Sequence, residues 1–200
     1  MTVLSLAPSI LVMVTVFTRI IVVLHFTRQT VGTQTQTSPS NMVIAGLALF
    51  LTGFVMQPTL EKAYYEGIVP LVEGEIDENE APERIIAPFH GFMICNVREV
   101  DVALFMDISK TRPVAHPEGT PLKVLVPAFI ISELKRAFEI GFLIYIPFVV
   151  IDMVIASLLM SMGMMMLPPA ILALPFKLIF FVLVDGLALL VGSLVQSFSP

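Results

Sequence analysis

The sequence predicts an all-α, membrane-associated fold in which helical hairpins carry an inserted helical external domain. Of its 200 residues, 56% are hydrophobic and 14% are charged, and the mean hydropathy is +0.92. A soluble domain of this length could not bury so much apolar surface. Long apolar segments and one acidic stretch divide the chain, and none of them has a strand pattern. We therefore expect helices in a membrane.

Apolar residues are concentrated in four segments, each expected to be helical. They cover roughly residues 3–26, 42–57, 137–162 and 169–196. A helix that spans a bilayer needs about 20 uninterrupted apolar residues, and the second segment is shorter than that. The others contain Arg19, Asp152, Lys177 and Asp185. Since each charge at a helix centre costs about 2.5–3.5 kcal/mol, we expect these side chains to face protein or water.

The first connecting loop suggests how the chain is oriented. The chain opens with an apolar run whose first charge is Arg19, which is typical of a membrane segment and not of a secretory leader. The loop 27–41 contains Arg28 and no acid, whereas the stretch after the second segment is acidic. Basic loops tend to stay in the cytoplasm. We therefore expect the loop to be cytoplasmic and the acidic stretch external.

The acidic stretch, residues 58–124, forms the inserted domain between the helices of residues 1–57 and the hairpin of residues 125–200. It contains twelve acidic and six basic residues, a composition that argues against nucleic acid as a partner. Residues 73–84 are predicted to be a solvated loop. From Pro88 to Ile108 apolar residues recur every three or four positions, which predicts one amphipathic helix.

The third and fourth apolar segments are predicted to form a helical hairpin. A helix is expected to begin at Pro127 and to bend at Pro147. Residues 160–169, MSMGMMMLPP, then place the turn at Gly163 to Pro168, with Pro169 in the first turn of the next helix. An isolated methionine is an ordinary apolar filler. Three in a row at a turn, Met164, Met165 and Met166, indicate a deformable seal built by several subunits, because the thioether side chain is flexible and polarizable.

The hairpin geometry also predicts where its charges lie. Asp152 and Lys177 are equally far from the turn, roughly 18–20 Å at 1.5 Å per residue, so they could meet. Lys177 and Asp185 are eight positions apart and would share one face of a continuous helix. The three charges could be a proton or ion relay, or ion pairs that lock helices and subunits together. We favour ion pairs, because a carboxylate next to a lysine is held ionised.

Residues for other chemistry are scattered. His25, His90, His116 and the single Cys95 have no metal-ligand spacing and no disulfide partner within the chain. No phosphate-binding loop or nucleophile motif is visible. We expect no metal, no cofactor and no enzymatic activity.

Four long motifs resemble the FliP family, the export-gate subunits of bacterial flagellar type III secretion, and the related SctR group of virulence systems. The motifs are FTRIIVVL (17–24), GLALFLTGFVMQP (46–58), SELKRAFEIGFLIYIPFVVIDMVIASLLMSMGMMMLPP (132–169) and LPFKLIFFVLVDG (174–186). The sequence departs from the family at Leu187, where many members have Trp, and at the loop 33–40, which is usually richer in proline.

The resemblance implies an assembly and a location. Family members form a homopentamer that joins FliR and FliQ in a helical cone, contacts FlhB and passes unfolded flagellar proteins outward. The expected location is the bacterial inner membrane, within the flagellar basal body, with lipid around the complex and the insert in the periplasm.

The resemblance also implies roles for individual residues. Met164, Met165 and Met166 match the methionine gasket that closes the pore. Glu133 and Lys177 match positions that bridge neighbouring subunits, and Asp152 and Asp185 match other buried acids. Phe92 and Phe105 match aromatic residues of the external domain that support assembly. The alternatives are an ion-coupled transporter subunit with a proton relay through Asp152 and Asp185, or a passive assembly scaffold.

Overall fold

The computed structural model describes residues 12–32, 41–110, 117–164 and 168–198, and in these ranges the chain is helical, with no strand. This confirms the predicted all-α fold. The helices are α1 (Phe17–Val31), α2 (Asn41–Ala63), α3 (Val69–Val72), α4 (Ala81–Asn96), α5 (Glu99–Ile108), α6 (Leu122–Ser161), α7 (Pro169–Leu183) and α8 (Gly186–Gln196), with a π-helix at Tyr64–Ile68 and a 3₁₀ turn at Pro117–Gly119.

The second apolar segment continues beyond residue 57, where a helix end was expected. Pro58 lies inside α2, and the π-helix and α3 extend the helical run to Val72. Gly67, in the π-helix, is buried against α4: a Cβ at this position would lie 2.5 Å from the Ile85 side chain. The insert boundary at 57/58 therefore falls within a helix.

The single helix predicted from Pro88 to Ile108 is wrong in two respects. The helix begins earlier, at Ala81, so residues 81–84 of the predicted loop 73–84 are helical. It is also divided in two, because Val97 and Arg98 are extended between α4 and α5. The backbone N–H of Arg98 leaves the helical pattern and donates to Ser132 Oγ at 3.1 Å. A partner from another part of the chain ends α4, and the local periodicity cannot reveal it.

The long helix α6 has 40 residues and continues through both Pro127 and Pro147. It begins at Leu122, ahead of the predicted start at Pro127. At its other end Gly163 adopts a positive φ of 73°, and the Met164 N–H donates to the Leu159 carbonyl at 3.0 Å. Such a glycine-mediated end satisfies carbonyls that the helix leaves open. Pro169 lies in the first turn of α7, as predicted, and residues 165–167 of the predicted turn lie outside the described residues.

Two described helical stretches are long and apolar enough to cross a membrane: Asn41–Val72 and Leu122–Ser161. A third span would be α7 and α8 together, which are bent by 58°. The fourth apolar segment, predicted as one helix, is thus two helices that meet at Val184 and Asp185.

The chain divides into two compact units. The first contains Met1–Arg19 and Leu49–Arg136, and its core is formed by Met93, Leu125 and Phe129, all fully buried. The second contains Ile20–Ala48 and Ala137–Pro200. In the second, the Phe148 ring meets the Phe180 ring edge-on, with centroids 5.8 Å apart.

Candidate functional site

The turn between α6 and α7 presents methionine side chains that do not pack into a core. Met160, Met162 and Met164 are exposed, by 66%, 63% and 46% respectively. We call residues 160–166 the methionine tip. Met165 and Met166, which the sequence predicts to share the seal with Met164, lie outside the described residues. The described part of the tip is therefore an uncovered apolar surface at the end of a hairpin.

Lys177 and Asp152 meet, as the hairpin geometry predicts. Lys177 Nζ lies 2.7 Å from Asp152 Oδ2, which joins α7 to α6. The lysine is buried and also donates to the Thr30 carbonyl at 3.4 Å. The other carboxylate oxygen, Asp152 Oδ1, is buried and has no hydrogen-bond partner in the described part of the chain. The Lys177–Asp152 pair links the two helices of the hairpin, and Asp152 Oδ1 can still accept a hydrogen bond.

Glu133 is fully buried and holds a partner in its own chain. Arg19 Nε donates to Glu133 Oε2 at 2.8 Å, and a second guanidinium N–H donates to Oε1, so the contact is bidentate. Both charges are visible in the sequence, but their pairing is not. Glu133 lies among other charges, including Lys135, Arg136 and Glu139, so the sequence does not single out Arg19 as its partner. The predicted bridging of subunits by Glu133 and Lys177 stays a prediction, and both side chains join helices within the chain.

Asp185 differs from the other acids. It lies between α7 and α8, and its side chain is exposed. The prediction that Lys177 and Asp185 share one helix face is wrong, because the helix that carries Lys177 ends at Leu183. The family-implied burial of Asp185 is not found within the isolated chain.

A second polar network, absent from the sequence predictions, joins α5 to α6 in the first unit. The Arg98 guanidinium donates twice to the Asp101 carboxylate, at 2.8 Å each, and Ser132 Oγ donates to Asp101 Oδ2 at 2.6 Å. The hydrogen bonds from Arg98 lower the pKa of the Asp101 carboxyl below its ordinary value. Ser132 and Asp101 are buried. The network docks the insert onto the long helix.

The two predicted assembly aromatics lie in the insert. Phe92 is half-buried and packs edge-on against Phe129, with ring centroids 6.1 Å apart. Phe105 is half-buried in α5. Across the described ranges there is no group of three His, Cys, Asp or Glu that could hold a metal ion. The candidate site residues therefore interact by aromatic packing and by charge pairing.

Comparison with known proteins agrees with these features. The model of the FliP family matches residues 1–194. A flagellar biosynthetic protein FliP of Caulobacter vibrioides is 58% identical over 198 residues, which cover 99% of this chain and 74% of that protein. FliP of Bacillus subtilis is 52% identical over 198 residues, 99% of this chain and 89% of the relative. FliP of Rhizobium meliloti is 52% identical over 200 residues, which cover 99% of this chain and 81% of that protein. The chain belongs to the FliP family.

Proposed function

We propose that this chain is a pore-forming subunit of the flagellar type III protein export gate, and that its methionine tip closes the pore. One observation carries the proposal: an apolar helical hairpin ends in exposed methionines, not in a polar loop. In a single chain these methionine side chains would be exposed to water, and exposing apolar surface to water costs free energy. A ring of such tips from sister subunits would cover it and leave a narrow apolar closure at the shared axis.

The side-chain chemistry suits a closure that must open for different polypeptides. Methionine has three rotatable bonds and a polarizable sulfur, so it fills irregular gaps without a fixed shape. A seal of branched or aromatic side chains would lose more contact when an unfolded segment passes. Gly163, within the tip, ends α6, and Pro169 starts the next helix. The backbone of the tip is thus held at both sides while its side chains remain adaptable.

The uncovered apolar surface of the second unit supports an oligomer with other gate proteins. In α6 the hydropathy is high enough for a membrane span, yet only 11% of its most apolar window is buried within the chain. We propose that a homopentamer of this subunit, with FliR, FliQ and FlhB, covers this surface, as the family resemblance implies. Lipid would cover the remainder. The insert, residues 58–124, would face the periplasm and the complex would lie in the inner membrane at the flagellar basal body.

A second candidate function rests on the unpartnered Asp152 Oδ1 atom. In an ion-coupled subunit this oxygen could accept a proton, with Asp185 as the next carrier. Against this, the other oxygen of Asp152 is 2.7 Å from Lys177, and Asp185 lies beyond the break between α7 and α8. A donor from a neighbouring subunit would satisfy Oδ1 equally well. We therefore favour the structural role for the pair.

Replacement of Met164, Met165 and Met166 by alanine tests the proposal in the assembled gate. We expect cells to become permeable to ions and small solutes, because the shorter side chains leave an open path at the axis. Ion leak can be measured by membrane-potential dyes in cells that carry the otherwise intact complex. Met153→Ala is the matched control, since Met153 is also exposed on α6 but lies outside the tip. An unchanged leak with loss of export would contradict the seal and favour the ion-coupled alternative.

A further inference from the structure

We propose that Asp185 is a positioning residue that acts through its backbone and not through its carboxylate. Its left-handed conformation sets the bend between α7 and α8, and through the bend the direction of the helix that leads to the methionine tip. The effect of the bend on the tip rests on the proposed function. The conformational role itself does not.

The backbone of Asp185 lies in a region that few side chains allow. Its φ is 49° and its ψ is 46°, which is the left-handed helical conformation. Glycine adopts this conformation freely, and aspartate and asparagine tolerate it because their short polar side chains interact locally. Alanine and especially β-branched residues disfavour it. The residue type at position 185 is thus one of the few that fit this bend.

Backbone hydrogen bonds show that one helix ends and the next begins at this residue. The Asp185 N–H donates to the Val182 carbonyl at 3.1 Å, in the last turn of α7. The Asp185 carbonyl accepts from the Leu189 N–H at 3.1 Å, in the first turn of α8. Both helices are therefore anchored on the same residue, through the two peptide units that flank its Cα. A change of its φ would redirect one helix axis relative to the other.

The carboxylate has no corresponding role among the residues that the structure describes. It is exposed and makes no side-chain capping hydrogen bond to α8. Across the described ranges it has neither an ion pair nor another hydrogen bond, in contrast with Asp152, which contacts Lys177. The exposed side chain and the unusual φ together indicate that the conformation, and not the charge, is what position 185 requires.

Packing beside the bend depends on the same geometry. A Cβ at Gly186 would lie 2.5 Å from two carbons of the Phe181 ring, so the turn brings the backbone directly onto this ring. Gly186 also borders an apolar cavity of about 390 Å³ between α6, α7 and α8, which is lined by Phe148, Phe181 and Leu190 among others. A straight helix would carry these side chains away from each other. The bend therefore defines the packing of the second unit.

The experiment uses the assembled complex, with spin labels on both arms of the bend. Ile171→Cys and Gln196→Cys are exposed sites, and Cys95→Ser removes the native exposed cysteine. At 1.5 Å per residue the sites lie roughly 21 and 16 Å from Asp185, so that loss of the 58° bend would separate the labels by about 5 Å more. Dilution with unlabelled subunits confines the measured distance to one chain.

We expect Asp185→Gly and Asp185→Asn to keep the interspin distance and the motility of the cells. Asp185→Ala should lengthen the distance in part of the population, and Asp185→Val should do so in most of it, by about 5 Å, with loss of motility. Rescue by glycine, which has no carboxylate, is the result that a charge-based role would not produce. Asp107, an exposed aspartate inside α5, is the matched control. At position 107, inside a helix, alanine should be tolerated better than glycine.

Loss of motility in both Asp185→Asn and Asp185→Gly, with an unchanged distance, would overturn the proposal and assign the role to the carboxylate. An unchanged distance in Asp185→Val would overturn it too, and so would full motility in a straightened variant. Ion leak through the methionine tip is measured separately. Failure of the seal would therefore leave the distance result interpretable.

Discussion

The second unit of this chain leaves more large apolar side chains exposed than the first, among the residues that the structure describes. The first has a core of fully buried side chains around Met93, Leu125 and Phe129. In the second, large apolar residues such as Phe142, Val182 and Leu183 remain exposed, by 64%, 74% and 79%. A surface of that kind is costly in water. The second unit therefore leaves more apolar surface uncovered within the chain, although the first also exposes large apolar residues, among them Phe50, Val72 and Val100.

The ion pairs of the two units also differ, in how far their side chains are buried. Arg19 and Glu133, in the first unit, are 1% and 0% exposed, and the guanidinium forms a bidentate contact. Lys177 and Asp152, in the second, are 11% and 37% exposed, and one oxygen of the aspartate lacks a partner in the described chain. The first pair is closed within the chain. The second leaves one buried carboxylate oxygen without a partner among the described residues.

The largest effect is expected from Glu133→Gln. It would remove the carboxylate that forms a bidentate contact with the buried Arg19 guanidinium, and lower the free energy of unfolding by about 3–5 kcal/mol. Denaturant titration of the chain in mild detergent measures this difference. The double variant Arg19→Met with Glu133→Met should recover most of the loss, because a buried ion pair can be replaced by apolar side chains of similar volume.

The control for this prediction is Glu80→Gln, in a surface pair of the same unit. Glu80 and Arg84 are 2.8 Å apart but roughly half exposed, so their separation should cost less than about 1 kcal/mol. Equal losses for Glu80→Gln and Glu133→Gln would contradict the distinction between a buried and a surface ion pair in the first unit.

A smaller effect, dependent on pH, is expected from Asp101→Asn. The loss of charged hydrogen bonds from Arg98 should cost about 1–3 kcal/mol at neutral pH. Because the pKa of Asp101 is lowered in the folded chain, its contribution to stability is complete above the unfolded pKa, about 3.9, and disappears as the pH falls through the folded value. The difference between wild type and variant, followed by thermal unfolding, should therefore shrink below about pH 4. A constant difference down to pH 2 would show that Asp101 acts without its charge.

The smallest effect on the isolated chain is expected from Phe142→Ala in the second unit. Its ring is exposed, so the variant should change the free energy of unfolding by less than about 0.5 kcal/mol. The buried Phe129→Ala, as the matched control, should cost about 3–5 kcal/mol. In the assembled complex Phe142→Ala should instead weaken subunit association, measured by native mass spectrometry. Normal association would show that this face is covered by lipid.

Features that depend on local pattern are predictable from the sequence. The apolar segments, the start of a helix at Pro169 and the contact of Lys177 with Asp152 all follow from composition, helix geometry and proline chemistry. Features that depend on a distant residue are not predictable in this way. The periodicity of residues 88–108 remains in phase across the break at Val97 and Arg98, so nothing local indicates that Ser132 receives the Arg98 N–H.

The same limit applies to the candidate site. The family resemblance implied that Glu133 bridges neighbouring subunits. Its partner within the chain, Arg19, lies 114 positions away, and residue spacing gives no indication of that contact. Asp185 was interpreted as a charge because its residue type is visible in the sequence, whereas its left-handed backbone is not. Aspartate tolerates that conformation but does not require it. A pattern of residue types therefore cannot distinguish the two roles.

The amino-acid sequence by itself determined that this protein is helical, apolar and bent at a methionine-rich turn, since these properties arise within one or two helical turns of each residue. Only the tertiary structure decided which charges meet, where α4 ends and how α7 and α8 are bent. Those outcomes depend on which helix faces come together, and side chains far apart in the chain share a hydrogen bond only after the helices have packed.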